Sequence, residues 1–362
     1  MGRWGLGGDF RFDFRSGLGF GLVPVGFPFR SFCVTIFVFH SSWHRLKRAS
    51  STSQSYRLSR TKLYASCGSH GSANGDANGS RNASCTTTLA TSLPQGTYHS
   101  VGDSRSDGSI ACWGSNLSGA APREGVDGEF VAVAAGSSHS LALRHDGGIA
   151  CWGWNNDGQA PPDGVDGNFV AIAAGEAHSL AVRRDGGVTC WGRNLSGAAP
   201  REGVDGEFVA VAAGSSHSIA LRVDGRIACW GSNNNGQAPP AGVDGDFVAI
   251  ASCYNHSIAL RADGGVACWG WNEDGEAPPE GVDGDFVAIA AGKYHSLAIR
   301  RDGGVTCWGL NLSRQAPPDG DFVAIAAGSY HSLALRRDGN IACWGDNIRG
   351  QAPPGPFGRI NV

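Results

Sequence analysis

The sequence lacks most of the signatures that would mark a chemistry. Its 11 cysteines include no Cys-x-x-Cys pair, which leaves no zinc or redox motif. No apolar run is long enough to cross a bilayer: residues 31–39 are the best, and extending them backwards meets Arg30, Pro28 and Pro24. There is no Gly-rich phosphate loop, nucleophile–base set or isolated carboxylate pair, so neither an enzyme nor a cofactor or metal site is expected. Basic residues are in deficit over residues 86–362, with 18 Lys/Arg against 29 Asp/Glu, a net charge of −11. That balance repels phosphate backbones and argues against direct nucleic-acid binding.

Acidic residues are scarce at the other end. None lies between Asp13 and Asp76, and residues 1–85 carry 11 Lys/Arg and 3 Asp/Glu, a net of +8. An Arg- and Ser-rich, acid-poor leader resembles an organelle transit peptide, while residues 31–39 behind Arg30 fit a signal-type apolar core. Residues 66–85, rich in Ser, Gly and Asn, read as a linker. The expected division is a mostly disordered leader over 1–85 and a folded array over 86–362. Its place is in an organelle or in the cytoplasm and nucleus, ahead of secretion.

What the chain has in abundance is repetition. Cys-Trp-Gly occurs seven times, at Cys112, Cys151, Cys190, Cys229, Cys268, Cys307 and Cys343, with five gaps of 39 residues and one of 36. A His-Ser pair precedes each, at His99, His139, His178, His217, His256, His295 and His331. Residues 116–140 and 194–218 are identical, the trace of a duplicated two-repeat block. A fixed period of this length means one supersecondary unit stacked on copies of itself.

The unit reads as β structure. Phe286–Ala291 is a β-branched and small apolar run ended by Gly292, and His295–Arg300 alternates. Asp302-Gly303 is a hairpin turn leading into a third strand over residues 303–308. The Ala-Pro-Pro segment that follows suits only an edge or extended stretch, because proline gives no ladder donor. A Gly-Val-Asp-Gly turn then leads to the next copy. Three or four short antiparallel strands in about 39 residues make one propeller blade, and a closed ring of seven hides all but short edges. The fold expected is all-β, a seven-bladed β-propeller, monomeric. The degraded leading strand of the first copy (residues 90–95) is expected to be completed by residues 357–362.

At Ala135-Gly136, His139-Ser140, Asp146-Gly147, Trp152-Gly153, Asn155 and Gly158-Gln159, and at the same offsets elsewhere, the chain resembles the regulator of chromosome condensation repeat family. The resemblance implies a seven-bladed propeller and several possible roles. One is a protein-interaction scaffold, alone or as an adaptor associated with ubiquitin ligases. Another is guanine-nucleotide exchange or regulation of a small GTPase. Exchange-active members insert a wedge-like hairpin for which the even spacing leaves no room. UV-B receptors of this fold carry Gly-Trp-Arg-His-Thr, and this chain has neither Trp nor Arg at those positions. Inhibition of a secreted enzyme and a propeller-type enzyme complete the set. The aspartate-to-tryptophan spacing does not fit a sialidase box.

Residues common to all copies have structural explanations: the His-Ser pairs as inter-blade or turn hydrogen bonds, the cysteines as small packed thiols, the tryptophans as packing. Function belongs to positions that vary, and these fall in two loops. Before the histidines stand Thr97-Tyr98, Ser137-Ser138, Glu176-Ala177, Ser215-Ser216, Tyr254-Asn255, Lys293-Tyr294 and Ser329-Tyr330. After Trp-Gly stand Ser115, Trp154, Arg193, Ser232, Trp271, Leu310 and Asp346. In an antiparallel blade both loops leave the same end, so one face varies while the Asp-Gly face should be uniformly acidic. Tyr98, Trp154, Tyr254, Trp271, Tyr294 and Tyr330 are the partner-binding candidates, five of them on the contiguous blades five, six, seven and one. Tyr294 and Tyr330 should be largely exposed.

Overall fold

In a computed structural model of the protein, residues 99–104, 110–310, 320–338, 340–348 and 352 are described. Twenty strands follow one another in chain order. The first blade has β1 (His99–Ser104) and β2 (Ile110–Gly114), and the second β3 (Phe130–Ala135), β4 (His139–Arg144) and β5 (Ile149–Gly153). The third holds β6 (Phe169–Ala174), β7 (His178–Arg183) and β8 (Val188–Gly192). The fourth holds β9 (Phe208–Ala213), β10 (His217–Arg222) and β11 (Ile227–Gly231). The fifth is β12 (Phe247–Cys253), β13 (His256–Arg261) and β14 (Val266–Gly270), and the sixth β15 (Phe286–Ala291), β16 (His295–Arg300) and β17 (Val305–Gly309). The seventh is β18 (Phe322–Ala327), β19 (His331–Arg336) and β20 (Ile341–Gly345). Each sheet is antiparallel with its strands in sequence order, and no helix forms among the described residues.

The register is the same from blade to blade. His139 faces Gly153, Ser140 faces Trp152 and Leu141 faces Cys151, and the corresponding pairs recur in the other blades. Between the first two strands a bulge falls after the leading Phe, as between Phe130 and Ala132. It lets the Phe turn inward to stay buried.

Of the three or four strands expected per unit, three form a ladder, and beyond them stands a single bridge. Val126, Val165, Val204, Val243 and Val282, from the Gly-Val-Asp-Gly turns, each pair with the first residue of the third strand of the blade before them. The Ala-Pro-Pro segment pairs with nothing in this way, for the reason its prolines give. The loops after Trp-Gly are closed instead by asparagine: Asn116, Asn155, Asn194, Asn233 and Asn272 each accept, through Oδ1, the N–H five residues on.

The core lies between blades. Leu141, Ile149 and Cys151 of the second blade pack with Phe169, Ile172 and Ala174 of the third, and the pattern repeats at later junctions. A unit of this size cannot bury its own apolar face, so each uses its neighbour's. Leu141 has no exposed surface; cutting it to alanine would cost about 2–5 kcal/mol. Trp152, Trp191, Trp230, Trp269 and Trp308 are partly buried, and Nε1 of each donates to a carbonyl of the preceding inter-blade loop, Trp152 to Ala120 at 2.9 Å and Trp191 to Gln159 at 3.0 Å. The glycine behind it holds φ near +100°, and a Cβ on Gly153 would sit 2.6 Å from the Ser138 carbonyl oxygen. That explains Trp-Gly in every copy.

The leader (1–85), Tyr98, residues 90–95 and residues 357–362 lie outside the described residues, and with them the expected strand completing the first blade.

Candidate functional site

The two variable loops do share one end of each blade. Trp154 N–H donates to the Ser138 carbonyl at 2.8 Å, Trp271 to Asn255 at 2.9 Å, Leu310 to Tyr294 at 2.8 Å and Asp346 to Tyr330 at 2.8 Å. A residue after Trp-Gly is thus tied to the residue before the histidine, and the two loops form one surface.

On that surface three of the predicted tyrosines come together. The Tyr254 and Tyr294 rings are 5.8 Å apart and the Tyr294 and Tyr330 rings 5.3 Å apart, each pair tilted, an arc across blades five, six and seven. The arc draws on an irregularity. Blade five reads Ser252-Cys253 where others read Ala-Gly, so β12 runs one residue further and Cys253 pairs with His256. The turn that follows forces Tyr254 to φ +48°, a left-handed conformation that costs a non-glycine residue about 1 kcal/mol or more. Its ring comes from one position earlier in the repeat than those of Tyr294 and Tyr330, and it still reaches the arc. All three rings are half-buried, which corrects the expectation that Tyr294 and Tyr330 stand largely exposed: each covers its neighbour's edge. Trp154 is 46% exposed and stands alone on blade two, and Trp271 is half-buried on blade five. Neither indole makes a ring contact with the arc among the described residues.

Beneath this face runs a belt of histidine–serine bonds. Nε2 of His99, His139, His178, His217, His256 and His295 lies 2.8–3.2 Å from the serine Oγ of the next blade: Ser140, Ser179, Ser218, Ser257, Ser296 and Ser332. Five of these serines spend their own proton on a carbonyl, as Ser179 does on Gln159 at 2.9 Å. The imidazole Nε2 therefore carries the donated proton, and Nδ1 is left bare. Burial holds the ring neutral: His139, His217 and His295 are pushed down to about 3, and His99, His178, His256 and His331 to about 4. Nδ1 of His139, His217, His256, His295 and His331 is buried without a partner. A Cβ on Gly136 would collide with the His139 ring, which is why the repeat places glycine there.

The repeat cysteines are thiols packed against this framework, with Cys151, Cys190, Cys229 and Cys268 pushed up to about 12 by burial. Cys343 departs from the expectation of a free thiol in every copy, being disulfide-bonded. Among the described residues no cluster of His, Cys, Asp and Glu is arranged to hold a metal.

The opposite face corrects a second expectation, because it is not uniformly acidic. Arginine closes the second strand of each blade from the second to the seventh and interleaves with the turn aspartates. Arg183 Nε lies 3.0 Å from Asp185, and the arginines just after the second strands of blades six and seven also pair, Arg301 2.7 Å from Asp285 and Arg337 2.7 Å from Asp321.

Two residues outside the predicted partner-binding set also stand out. Glu276 occupies the slot held by Gln159 and Gln237, whose Oε1 atoms accept the N–H of Asp157 and Asn235. Glu276 Oε2 does the same with Asp274, but Oε1 is buried and unpartnered, and burial raises its pKa. Lys293 Nζ lies over two of the arc's rings, 4.3 Å from the Tyr254 centroid and 4.9 Å from that of Tyr294. Comparison of the copies with one another would have flagged Glu276, a carboxylate among amides, whereas Lys293 stood among the variable positions without being singled out.

Antiparallel blades of three strands, joined by bridging valines and a histidine–serine belt, define a repeat-built β-propeller with one variable loop face. The family model of the regulator of chromosome condensation (RCC1) repeat matches residues 130–159, 169–198, 208–237, 247–276, 286–315 and 322–351. The chain belongs to that repeat family; the model matches six copies, and the first is the one with the degraded leading strand. No curated protein matches the sequence significantly. Among solved structures, the CRINKLY WD40 ectodomain of the Arabidopsis thaliana receptor kinase ACR4 is similar at TM-score 0.59 and 25% identity, covering 73% of this chain and 98% of that one. Human WBSCR16 is similar at 0.55 and 21%, covering 68% and 88%. Prp20p of Saccharomyces cerevisiae, described with its binding properties to Gsp1p and histones, is similar at 0.52 and 22%, covering 63% and 74%. No helix among the described residues is long and apolar enough to cross a membrane.

Proposed function

We propose that the propeller is a non-enzymatic protein-interaction scaffold whose partner docks on the variable-loop face around Tyr254, Tyr294 and Tyr330. The observation that carries this reading is the aromatic arc: three adjacent blades present touching tyrosines where blades two to four offer Ser138, Ala177 and Ser216. Half-buried aromatic rings on a rigid frame supply contact area at low entropic cost, the usual makeup of interface anchors. The absence of an enzymatic role is part of the proposal, and the use of the repeat histidines in buried structural bonds supports it. The related Prp20p, with its Gsp1p binding, makes a small GTPase the first partner class to try.

The test is quantitative affinity capture with the full chain, wild type against the Tyr294→Ala/Tyr330→Ala double variant. Truncating two anchors should weaken a true partner about thirtyfold, at about 2 kcal/mol or more. A GTPase among the depleted proteins would go on to a nucleotide-exchange assay. Equal capture by both chains, with loss instead on charge reversal at Asp185 and Asp302, would place the interface on the other face.

A further inference from the structure

Lys293 is the sole lysine of residues 86–362, an array otherwise supplied with arginine. It stands where Ser137, Glu176, Ser215 and Ser329 stand in other blades. Its backbone is fixed, N–H donating to the Gly328 carbonyl at 3.3 Å, and its ammonium is held over the faces of Tyr254 and Tyr294. The ion pairs found among the described residues all join arginine to aspartate, and among those residues this cation has no carboxylate partner. The ring faces satisfy an ammonium only in part, since its three N–H groups seek oxygen acceptors.

Resting on the function proposed above, we infer that Lys293 reads one carboxylate of a protein partner, an acidic side chain flanked by apolar or aromatic residues that lie on the tyrosine arc. The chemistry separates this ligand from its neighbours. A phosphate dianion calls for a bidentate arginine or several cations, whereas among the described residues the arc offers a single point charge. Among the described residues the variable-loop arginine Arg193, on blade three, is already paired with Asp157 at 2.9 Å. A run of acidic residues is also excluded, because the net charge of −11 on residues 86–362 repels it. A solitary carboxylate collects the local attraction and little of that repulsion. The partly desolvated setting between two rings strengthens the pairing beyond that of an exposed lysine.

The experiment uses the full-length chain on an array of synthetic peptides whose central residue is Glu, Gln, phosphoserine or Lys, with randomised apolar and aromatic flanks. Wild type should retain Glu-centred peptides about tenfold over their Gln twins, a difference of about 1.4 kcal/mol. Lys293→Met should bring the two within about twofold, and Lys293→Glu should shift retention to Lys-centred peptides. Circular dichroism verifies that each variant keeps its β spectrum. Failure of wild type to retain Glu-centred peptides, a preference for phosphoserine, or a Glu preference that survives Lys293→Met overturns the inference. The two readings fail differently. If Tyr294→Ala/Tyr330→Ala abolishes retention while Lys293→Met changes nothing, the face is right and the charge assignment wrong. Retention indifferent to all of these variants means the face itself is wrong.

Discussion

His139 Nε2 and Ser179 Oγ, 40 residues apart in sequence, lie 2.9 Å apart across the junction of the second and third blades, both fully enclosed. The bond ties the fold of each blade to the presence of its neighbour. Its weak point is protonation, because a charged imidazole would need solvation that the junction does not offer.

Acid should therefore dismantle the ring. The belt histidines have folded-state values near 3 to 4 against an ordinary 6.5. A depressed value means stability that is full above the unfolded value and is lost as pH falls from about 6.5 towards 4. Urea midpoints measured from pH 7.5 to pH 4 should drop steeply, with a slope reporting uptake of several protons on unfolding. A midpoint flat across that interval would contradict the neutral belt.

Serine deletions should differ by junction. Ser179→Ala removes the acceptor for His139 and should cost about 1–3 kcal/mol. Ser257→Ala should cost less, because Ser252 Oγ remains 2.7 Å from His217 Nε2 and can take the proton. Equal losses in chemical denaturation would show that Ser252 does not substitute.

Glu276→Gln should stabilise the protein at neutral pH. The wild-type carboxyl, raised by burial, contributes stability below its unfolded pKa that is lost as pH rises through the folded value. An amide restores the group found in Gln159 and Gln237 and removes that dependence. The gain should be about 1 kcal/mol at pH 7 and vanish near pH 4. A thermal-melt difference constant with pH would refute the burial argument.

Tyr330→Ala alone should lower the melting temperature by a few degrees, since the ring contact with Tyr294, worth about 1 kcal/mol, is lost. A collapse of the β spectrum would make the arc part of the core and deprive the capture experiment of its meaning.

Much of this architecture was written in the repeat itself. The strands Phe286–Ala291 and His295–Arg300 fall where period-2 patterning and the glycine and Asp-Gly breaks place them, and antiparallel topology put both variable loops on one face. The third strand shifted by a residue or two, since Val305–Gly309 begins only where the turn lets the ladder start. Of the three or four strands expected, three form a ladder, and a valine in the Gly-Val-Asp-Gly turn makes the bridge that the prolines could not. The site was legible in kind but not in arrangement. That Tyr254 would join Tyr294 from a different repeat position depended on Cys253 extending a strand, a local event with no periodic signal. The arginines that interrupt the acidic face were visible in the sequence, yet their placement beside the turn aspartates required the hairpin geometry.

The belt also bears on how such a chain grows. Every described junction presents the same donor on one side and the same acceptor on the other, so any blade can follow any other without redesign of the seam. The identity of residues 116–140 and 194–218 is then what modular inheritance leaves behind. A copied pair of blades arrives with its fasteners already matched, and selection is free to act on the loop tips alone.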